Sequence, residues 1–360
     1  MKIIIAGGGT GGHLFPAVAV AEEMMRERPD TEIVFVGTSE GFEARWLPKS
    51  NYRYELFAVH GVRGRGLMAR ARSTAEFARA VVLARSSLAR FGADLVLGVG
   101  GYASAPMGVA AKLSRVPLVL MEQNAVPGLA NRILWRFADR ICVGFRDCSR
   151  FFSTAKVAVT GNPVRFAAVP DHPLTDGQIQ ILVLGGSTGA HRLNIGVINA
   201  FKIWRNNVIN LRLVHQTGEA DVELARTEYD KFPFQAEAVP FIDDVAAALG
   251  RADLIVARAG AMTVSEIALA GRPAIFVPYP FHRDRQQEHN ARVLERVGAA
   301  AIVHDDANLA ANLLCKLEEF CSDRSKLAEM GRNARLAAAP DAAKKITQIC
   351  FEIADARRAA

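Results

Sequence analysis

The side chains best able to do chemistry in this chain stand beside runs of glycine. The stretch Gly7-Gly8-Gly9-Thr10-Gly11-Gly12-His13 contains the spacing Gly7-x-Gly9-x-x-Gly12. Such a loop lets main-chain N–H groups and a helix N-terminus close on a phosphate. His13 adds an imidazole, which gains and loses a proton near neutral pH as a general base must. The other use of a ring in that place is to brace the glycine loops by hydrogen bonding. A second group begins at Arg258-Ala259-Gly260, where an apolar strand ends and a helix is expected to start near Met262-Thr263. The free N–H groups and partial positive charge of a helix start suit a pyrophosphate. Glu266, expected in the first turn, can reach ribose hydroxyls or only stabilise the helix start. The stretch "HRDRQQEHN" (282–290) gathers amides and charges after a strand, which fits sugar hydroxyls and equally a solvated face.

Glycine spacing alone suggests a dinucleotide, and the following strand argues against one. NAD-binding units place an acid at the end of the second strand to hold ribose hydroxyls. Here that strand ends in Val36-Gly37-Thr38, with no carboxylate in place.

The elements that must position these residues alternate. Lys2–Ala6 reads as a buried strand and Pro16–Arg28 as a helix. "TEIVFVGT", "ADLVLGVGG", "VPLVLMEQN" and "RICVGF" read as further strands. Continuous apolar strands separated by helices imply a parallel sheet covered on both faces. The Pro-, Gly- and Asp-rich stretch Thr160–Asp176 reads as a linker. The pattern then restarts with "IQILVLGGSTGA", "LRLVHQTG", "ADLIVARAG" and "RPAIFVPYP", and Gly185-Gly186-Ser187-Thr188-Gly189 again opens a helix. The expected fold is α/β, two Rossmann-like doubly wound units with an interdomain cleft. An N-terminal domain spans 1–163, completed by a C-terminal helix over 341–360, and a second domain spans 164–340.

Bulk composition agrees with packed cores. The 360 residues are 50% hydrophobic and 22% charged, long enough for two domains. No secretory signal is expected, because the first apolar run is only four residues before glycine. Apolar runs elsewhere are cut by Gly, Pro or charge before they could span a bilayer. Five scattered cysteines without C-x-x-C pairing read as reduced structural thiols. The net charge of +7 makes an anionic partner plausible, and no motif supports nucleic acid. Between Gly61 and Gly92, Arg63, Arg65, Arg70, Arg72, Arg79, Arg85 and Arg90 face a single acid, Glu76. Leu67, Met68, Phe77, Val81, Val82, Leu88 and Phe91 are interspersed. Either an amphipathic helix with its Arg face in water or a patch resting on an anionic membrane would read this way.

A set of motifs in order goes further. Gly8-Gly9-Thr10-Gly11-Gly12-His13, Gly100-Gly101-Tyr102, Glu122-Gln123-Asn124 and Gly161-Asn162-Pro163-Val164-Arg165 are followed by Gly185-Gly186-Ser187. Phe241-Ile242-Asp243-Asp244, Thr263-Val264-Ser265-Glu266 and Asp284-Arg285-Gln286-Gln287 complete the set. It closely resembles the family of bacterial UDP-N-acetylglucosamine–N-acetylmuramyl-(pentapeptide) pyrophosphoryl-undecaprenol N-acetylglucosamine transferases, and the resemblance spans nearly the whole chain. These enzymes make lipid II from lipid I in peptidoglycan synthesis and have the GT-B fold.

The resemblance implies an inverting transferase that moves N-acetylglucosamine from UDP-N-acetylglucosamine to the C4 hydroxyl of lipid I, working from the cytoplasmic face of the membrane as a peripheral protein. Ile242 would meet uracil through its backbone, and Glu266 would meet the ribose. Arg165, Ser187 and the helix start at Ala261, Met262, Thr263, Val264 and Ser265 would hold the pyrophosphate. Gln287 and Asn124 would contact the sugar, and Thr10, Gly11 and Gly12 would close over it. His13 is the candidate base and Glu122 the second. No Asp-x-Asp motif is present, so no metal or cofactor is expected. Met121 stands where members of the family often have His, which puts a catalytic role at that position in doubt. Rival readings are another GT-B UDP-sugar transferase, such as one acting on diacylglycerol, a UDP-sugar epimerase, and a non-catalytic nucleotide-sugar sensor.

Overall fold

A computed structural model describes residues 1–58, 67–166, 169, 177–186, 189–204, 210–282 and 284–359, with side chains described from 73 onward in the second stretch. The chain divides into two compact units. Unit 1 is Met1–Arg165 with Ala339–Ala360, and unit 2 is Phe166–Ala338.

In unit 1 the strands are β1 (Lys2–Ala6), β2 (Glu32–Thr38), β3 (Arg53–Phe57), β4 (Leu95–Gly98), β5 (Leu118–Glu122), β6 (Arg140–Val143) and β7 (Val157–Val159). The helices are α1 (Gly11–Glu27), α2 (Glu43–Trp46), α3 (Leu67–Phe91), α4 (Ser104–Ser114) and α5 (Leu129–Leu134). The sheet order is β3-β2-β1-β4-β5-β6-β7, and every pair is parallel. One face is covered by α1, whose Leu14, Ala17, Val18, Ala21 and Met24 recur at helical spacing and pack on Ile3, Ile5 and Phe35. On the other face, Val81, Ala84 and Leu88 of α3 and Met107, Ala110 and Ala111 of α4 pack on Ile4, Val96 and Leu120.

Unit 2 repeats the plan. Its elements are β8 (Ile179–Leu184), α6 (His191–Ile203), β9 (Leu211–Gln216), α7 (Val222–Tyr229), β10 (Gln235–Val239), α8 (Val245–Arg251), β11 (Leu254–Ala257), α9 (Ala261–Ala270), β12 (Ala274–Phe276), α10 (Gln286–Glu295), β13 (Ala300–Ile302), α11 (Leu309–Cys321) and α12 (Arg324–Leu336). The order is β10-β9-β8-β11-β12-β13, again all parallel. The last helix, α13 (Ala342–Ala359), returns to unit 1. Ile346, Cys350, Phe351 and Ala354 complete the core beneath α1. Arg28 pairs with Asp355 at 2.7 Å and lies over the Phe351 ring at 4.2 Å.

In each sheet the strand order reverses beside the first strand, between β1 and β4 and between β8 and β11. In a doubly wound sheet the loops that splay apart there bind ligands. Both glycine loops leave the sheet at these points.

Some expectations change. Helix α1 starts at Gly11, not Pro16, so His13 is its third residue. Most of the expected linker, and Ser187 with Thr188, lie outside the described residues. In the arginine-rich segment Val81 and Leu88 are core and Phe91 packs against them, while Phe77 and Val82 are exposed. Arg63 and Arg65, and the side chains of Leu67, Met68, Arg70 and Arg72, are not described. All five cysteines are free thiols.

Unit 2 contains a buried imidazole with a measurable consequence. His215 on β9 has Nδ1 2.5 Å from the Tyr229 hydroxyl and Nε2 3.0 Å from Asn194 Oδ1. Burial pushes its pKa from 6.5 down to about 3, against an opposing pull from Asp221. The unfolded ring takes up a proton near pH 6.5 and the folded ring does not until about 3. Its contribution to stability is therefore complete above pH 6.5 and lost as pH falls toward 3. At pH 5, about 1.5 units below the unfolded value, the loss is about 2 kcal/mol. Denaturant titrations at pH 7 and pH 5 should show this loss, and His215→Gln should show correspondingly less. Equal pH dependence in the two proteins would refute the assignment.

Candidate functional site

Unit 1 builds its site where β1, β4 and β5 end. The Gly7 N–H donates to Val36 O at 2.9 Å and the Gly8 N–H to Gly100 O at 3.2 Å, which ties the first loop to its neighbours. Gly101 has φ 80°, and a Cβ there would run into Gly8 O, so only glycine allows the two loops to approach. Thr10 precedes α1 in extended conformation, and its side chain does not cap the helix. Its Oγ1 lies 3.2 Å from His13 Nδ1 instead. The His13 ring is half-buried and lies over Gly100, where a Cβ would stand 3.1 Å from Nε2. Desolvation lowers its pKa, while the Glu122 and then the Glu43 carboxylates pull the other way. Pro16, inside α1, has no N–H to donate to the Gly12 carbonyl. Gly11 is half-buried and Gly12 exposed.

Glu122, the last residue of β5, is almost fully buried. Its Oε1 accepts from Asn124 N at 3.0 Å and Asn124 Nδ2 at 3.2 Å. Its Oε2 accepts from Gly128 N at 2.9 Å and Asn131 Nδ2 at 2.8 Å. This carboxylate closes the loop between β5 and α5 and holds the half-buried Asn124 in place. Gln123 Nε2 donates to Val99 O at 3.3 Å, and Asn162 Nδ2 donates to Gln123 O at 2.9 Å. Two motifs far apart in sequence thus fasten one another. Met121 is core. Arg165 is exposed, its guanidinium 3.9 Å from the centre of the Phe15 ring.

Unit 2 places the second group at the ends of β8, β11 and β12. Gly260 is the N-cap of α9, and no side chain caps that helix. The Val264 N–H already donates to Gly260 O, so the N–H groups at the start are those of Ala261, Met262 and Thr263. The Ser265 hydroxyl donates back to Ala261 O at 2.9 Å, and the Val264 side chain is core. Because α9 begins at Ala261, Glu266 is its sixth residue and stands in the second turn, not the first. It is half-buried. Gln287 Oε1 accepts from the Tyr279 N–H at 2.9 Å, which fixes the amide and leaves its NH2 as the donor end. Ile242 is half-buried, just before α8, whose N-terminus Asp244 caps through the Ala247 N–H at 2.9 Å.

Several contacts that hold this group carry no sequence signal. The buried Arg258 donates to Val277 O at 2.9 Å and to Asp305 Oδ2 at 2.8 Å. Asn290 Nδ2 donates to Ala259 O at 3.1 Å. Gln216 Nε2 donates to Gly186 O at 2.8 Å, and Gln216 O accepts from the Gly185 N–H at 3.2 Å. None of these pairs is local, so spacing carries no signal of them. Glu43, described below, is the exception: it stands two residues after Gly41 and five after β2.

Comparison with known proteins follows this geometry. Residues 3–143 match the Glycosyltransferase family 28 N-terminal domain, and residues 180–346 match the Glycosyltransferase family 28 C-terminal domain. A protein of Geobacter sulfurreducens named UDP-N-acetylglucosamine–N-acetylmuramyl-(pentapeptide) pyrophosphoryl-undecaprenol N-acetylglucosamine transferase is 42% identical over 352 residues, 96% of this chain and 97% of that one. Its namesake in Geotalea uraniireducens is 41% identical over 352 residues, 96% of each chain. Among solved structures, Acinetobacter baumannii MurG superposes with a TM-score of 0.82 at 32% identity, over 98% of this chain and 99% of that one.

The Glu122 geometry predicts a stability effect. Glu122→Ala leaves the N–H groups of Asn124 and Gly128 without their carboxylate acceptor. Each such loss costs about 1–3 kcal/mol. The variant should lose roughly 3 kcal/mol or more of unfolding free energy. A change within about 0.5 kcal/mol in a denaturant titration would show that the loop stands without it.

Proposed function

The chain belongs to glycosyltransferase family 28, and from that premise we propose that it moves N-acetylglucosamine from UDP-N-acetylglucosamine to the C4 hydroxyl of undecaprenyl-pyrophosphoryl-linked muramyl pentapeptide, forming lipid II. The likeness over nearly the whole chain to transferases named for this reaction carries the reading.

On this reading unit 2 takes the donor. The uncapped start of α9 turns the amides of Ala261, Met262 and Thr263 toward the pyrophosphate, and Val264 and Ser265 complete that turn. As UDP leaves with the bonding electron pair, negative charge grows on the phosphate oxygens, where a helix N-terminus and the Arg165 guanidinium favour it. The family resemblance adds Ser187 to this set. Glu266, one turn farther along α9, accepts from the ribose hydroxyls, and the Ile242 backbone meets uracil. The Gln287 NH2 and Asn124 meet the sugar.

Unit 1 takes the acceptor. The acceptor oxygen forms its bond to the anomeric carbon as the bond to UDP breaks, and His13 removes the hydroxyl proton. Thr10 accepts from His13 Nδ1–H and leaves the Nε2 lone pair for that proton. Thr10, Gly11 and Gly12 form the lip over the sugar. Four hydrogen bonds already engage the oxygens of Glu122, the second candidate base. Its part is to hold Asn124 and to stabilise the charged imidazole.

The lipid acceptor calls for an anionic membrane surface at the cytoplasmic face. Among the described residues no helix is long and apolar enough to cross a membrane. The outer surface of the α3–α4 layer exposes Phe77, Val82, Leu83 and Leu113 beside the exposed Arg79, Arg85, Lys112 and Arg115. Exposed apolar side chains interspersed with cations on these two helices suit peripheral contact with anionic lipid.

Four measurements test these assignments. The purified protein should transfer label from UDP-N-acetylglucosamine to a lipid I analogue; release of free or epimerised sugar instead would overturn the reading. His13→Ala should lower kcat by about 10²–10⁴-fold with donor affinity little changed. In the wild type the acid limb of the rate profile should fall below pH 6.5, since the base must be neutral and its pKa is lowered. Retention of full kcat would remove His13 as the base. Val82→Asp with Leu83→Asp should weaken binding to phosphatidylglycerol vesicles by about tenfold or more. Unchanged sedimentation with the vesicles would place the contact elsewhere.

A further inference from the structure

We propose that Glu43 is a positioning residue for the transfer: its buried carboxylate takes the Gly9 N–H that a phosphate would otherwise take, and thereby sets the entry of α1 and the place of His13. The inference rests on the reading of His13 given above.

Three observations carry it. Glu43 is fully buried, yet the donors that satisfy it are neutral. Oε2 accepts from the Gly9 N–H at 2.6 Å, and Oε1 accepts from the Thr38 N–H at 2.8 Å and the Thr38 hydroxyl at 2.7 Å. A buried carboxylate is costly unless such bonds surround it. Next, the space it occupies is built for it. A Cβ on Gly8, Gly37 or Gly41 would collide with the carboxylate or its stem, so three segments leave side-chain room for one acid. Finally, the same segment grips Gly9 from its other end. The Phe42 N–H donates to Gly9 O at 3.4 Å, so consecutive residues hold both polar groups of one glycine.

The grip extends into α1. The Phe42 and Trp46 rings meet Phe15 edge-on, with centroids 5.5 and 6.0 Å apart. Phe15 lies two residues beyond His13, and its ring carries the Arg165 guanidinium. The α2 segment therefore fixes the loop before His13, the ring after it and the cation on that ring. Glu43 also bears charge toward His13, as Glu122 does, and both favour the protonated imidazole. One consequence concerns the ligand. Because an internal anion already holds Gly9, a substrate phosphate at that amide would face a carboxylate, so this part of the loop is left to sugar hydroxyls and amides.

Glu43→Gln and Glu43→Asp test the proposal in the full-length protein. In the Gln variant an amide NH2 replaces one acceptor and opposes either Gly9 or Thr38. Hydrogen–deuterium exchange of the peptide covering residues 7–15 should quicken by about tenfold or more. The kcat should fall about 10- to 100-fold, with KM for UDP-N-acetylglucosamine within about twofold. The acid limb of the rate profile should move to lower pH, because one of the two charges favouring protonated His13 is gone. Glu43→Asp keeps the charge one methylene short and should retain the position of the limb with an intermediate kcat. Should the Gln variant fail to fold, Glu43→Asp still reports loop exchange and the split between kcat and donor KM. Unchanged loop exchange, or an unchanged kcat, would overturn the proposal. So would a fall in kcat matched by a raised donor KM and a lower melting temperature with the limb unmoved, which is the mark of a general fold brace. If the wild type transfers no sugar at all, the functional reading fails, and loop exchange still decides whether Glu43 holds Gly9.

Discussion

The loops that end a parallel sheet must satisfy their N–H groups without the help of a next strand, and buried carboxylates do this in unit 1. Glu122 gathers two main-chain amides and two side-chain amides at the end of β5. Glu43 does the same between the loop after β1 and the end of β2. An unsatisfied buried N–H costs about as much as a hydrogen bond to a charged group contributes, roughly 1–3 kcal/mol. A loop with several such groups would otherwise seek other conformations. The two acids select one conformation, and Thr10, His13 and Asn124 stand where they do because of it.

Unit 2 has the same topology and meets the constraint differently. The loop after β8 is held through a carbonyl, Gly186 O, by the Gln216 amide, and the loop after β11 through Ala259 O by Asn290. Where unit 1 spends an internal anion on a loop N–H, these contacts hold loop carbonyls and leave the amides at the start of α9 uncapped by side chains. A sheet that supplies its own anion and a sheet that presents a helix N-terminus are suited to different ligands. That difference in chemistry, within one repeated architecture, supports the proposal that the nucleotide goes to unit 2 and the acceptor to unit 1.

How much of this was legible follows from burial. The nine strands read from the sequence are the nine interior strands of the two sheets. The four unread strands, β3, β7, β10 and β13, are the four edges. Interior strands are covered on both faces and spell unbroken apolar runs, as in Leu95–Gly98 and Leu254–Ala257. Edge strands run only three to five residues with at most one buried position each, and Gln235–Val239 carries Gln and Glu. The start of α1 was misplaced for a local reason. Pro16 looks like a first helical residue, whereas packing extends the helix back through two glycines and puts His13 inside it. The shift of Glu266 to the second turn has the same origin, a helix that starts earlier than its apolar pattern. At the site, residues in runs of glycine or in ordered motifs could be found. The partners that hold them, such as Asp305 for Arg258 across 47 positions, leave no trace in spacing.

On the proposal that His13 is the base, its placement resolves a conflict that any such base faces. Its ring must be neutral before reaction and must welcome a proton during it. Desolvation and the positive end of α1, whose third residue it is, both disfavour the imidazolium. Glu122 and Glu43 favour it. Their charges are fixed by hydrogen bonds to the loops, so they cannot approach the ring and pair with it at rest. A carboxylate in direct contact would raise the resting pKa and leave the base protonated near neutrality. Held back by the amides they satisfy, the two acids act through space, where their attraction becomes useful as the proton arrives. On that proposal the same bonds that fix the loops hold both carboxylates off the ring, and the fold of unit 1 and the protonation of His13 answer to one pair of side chains.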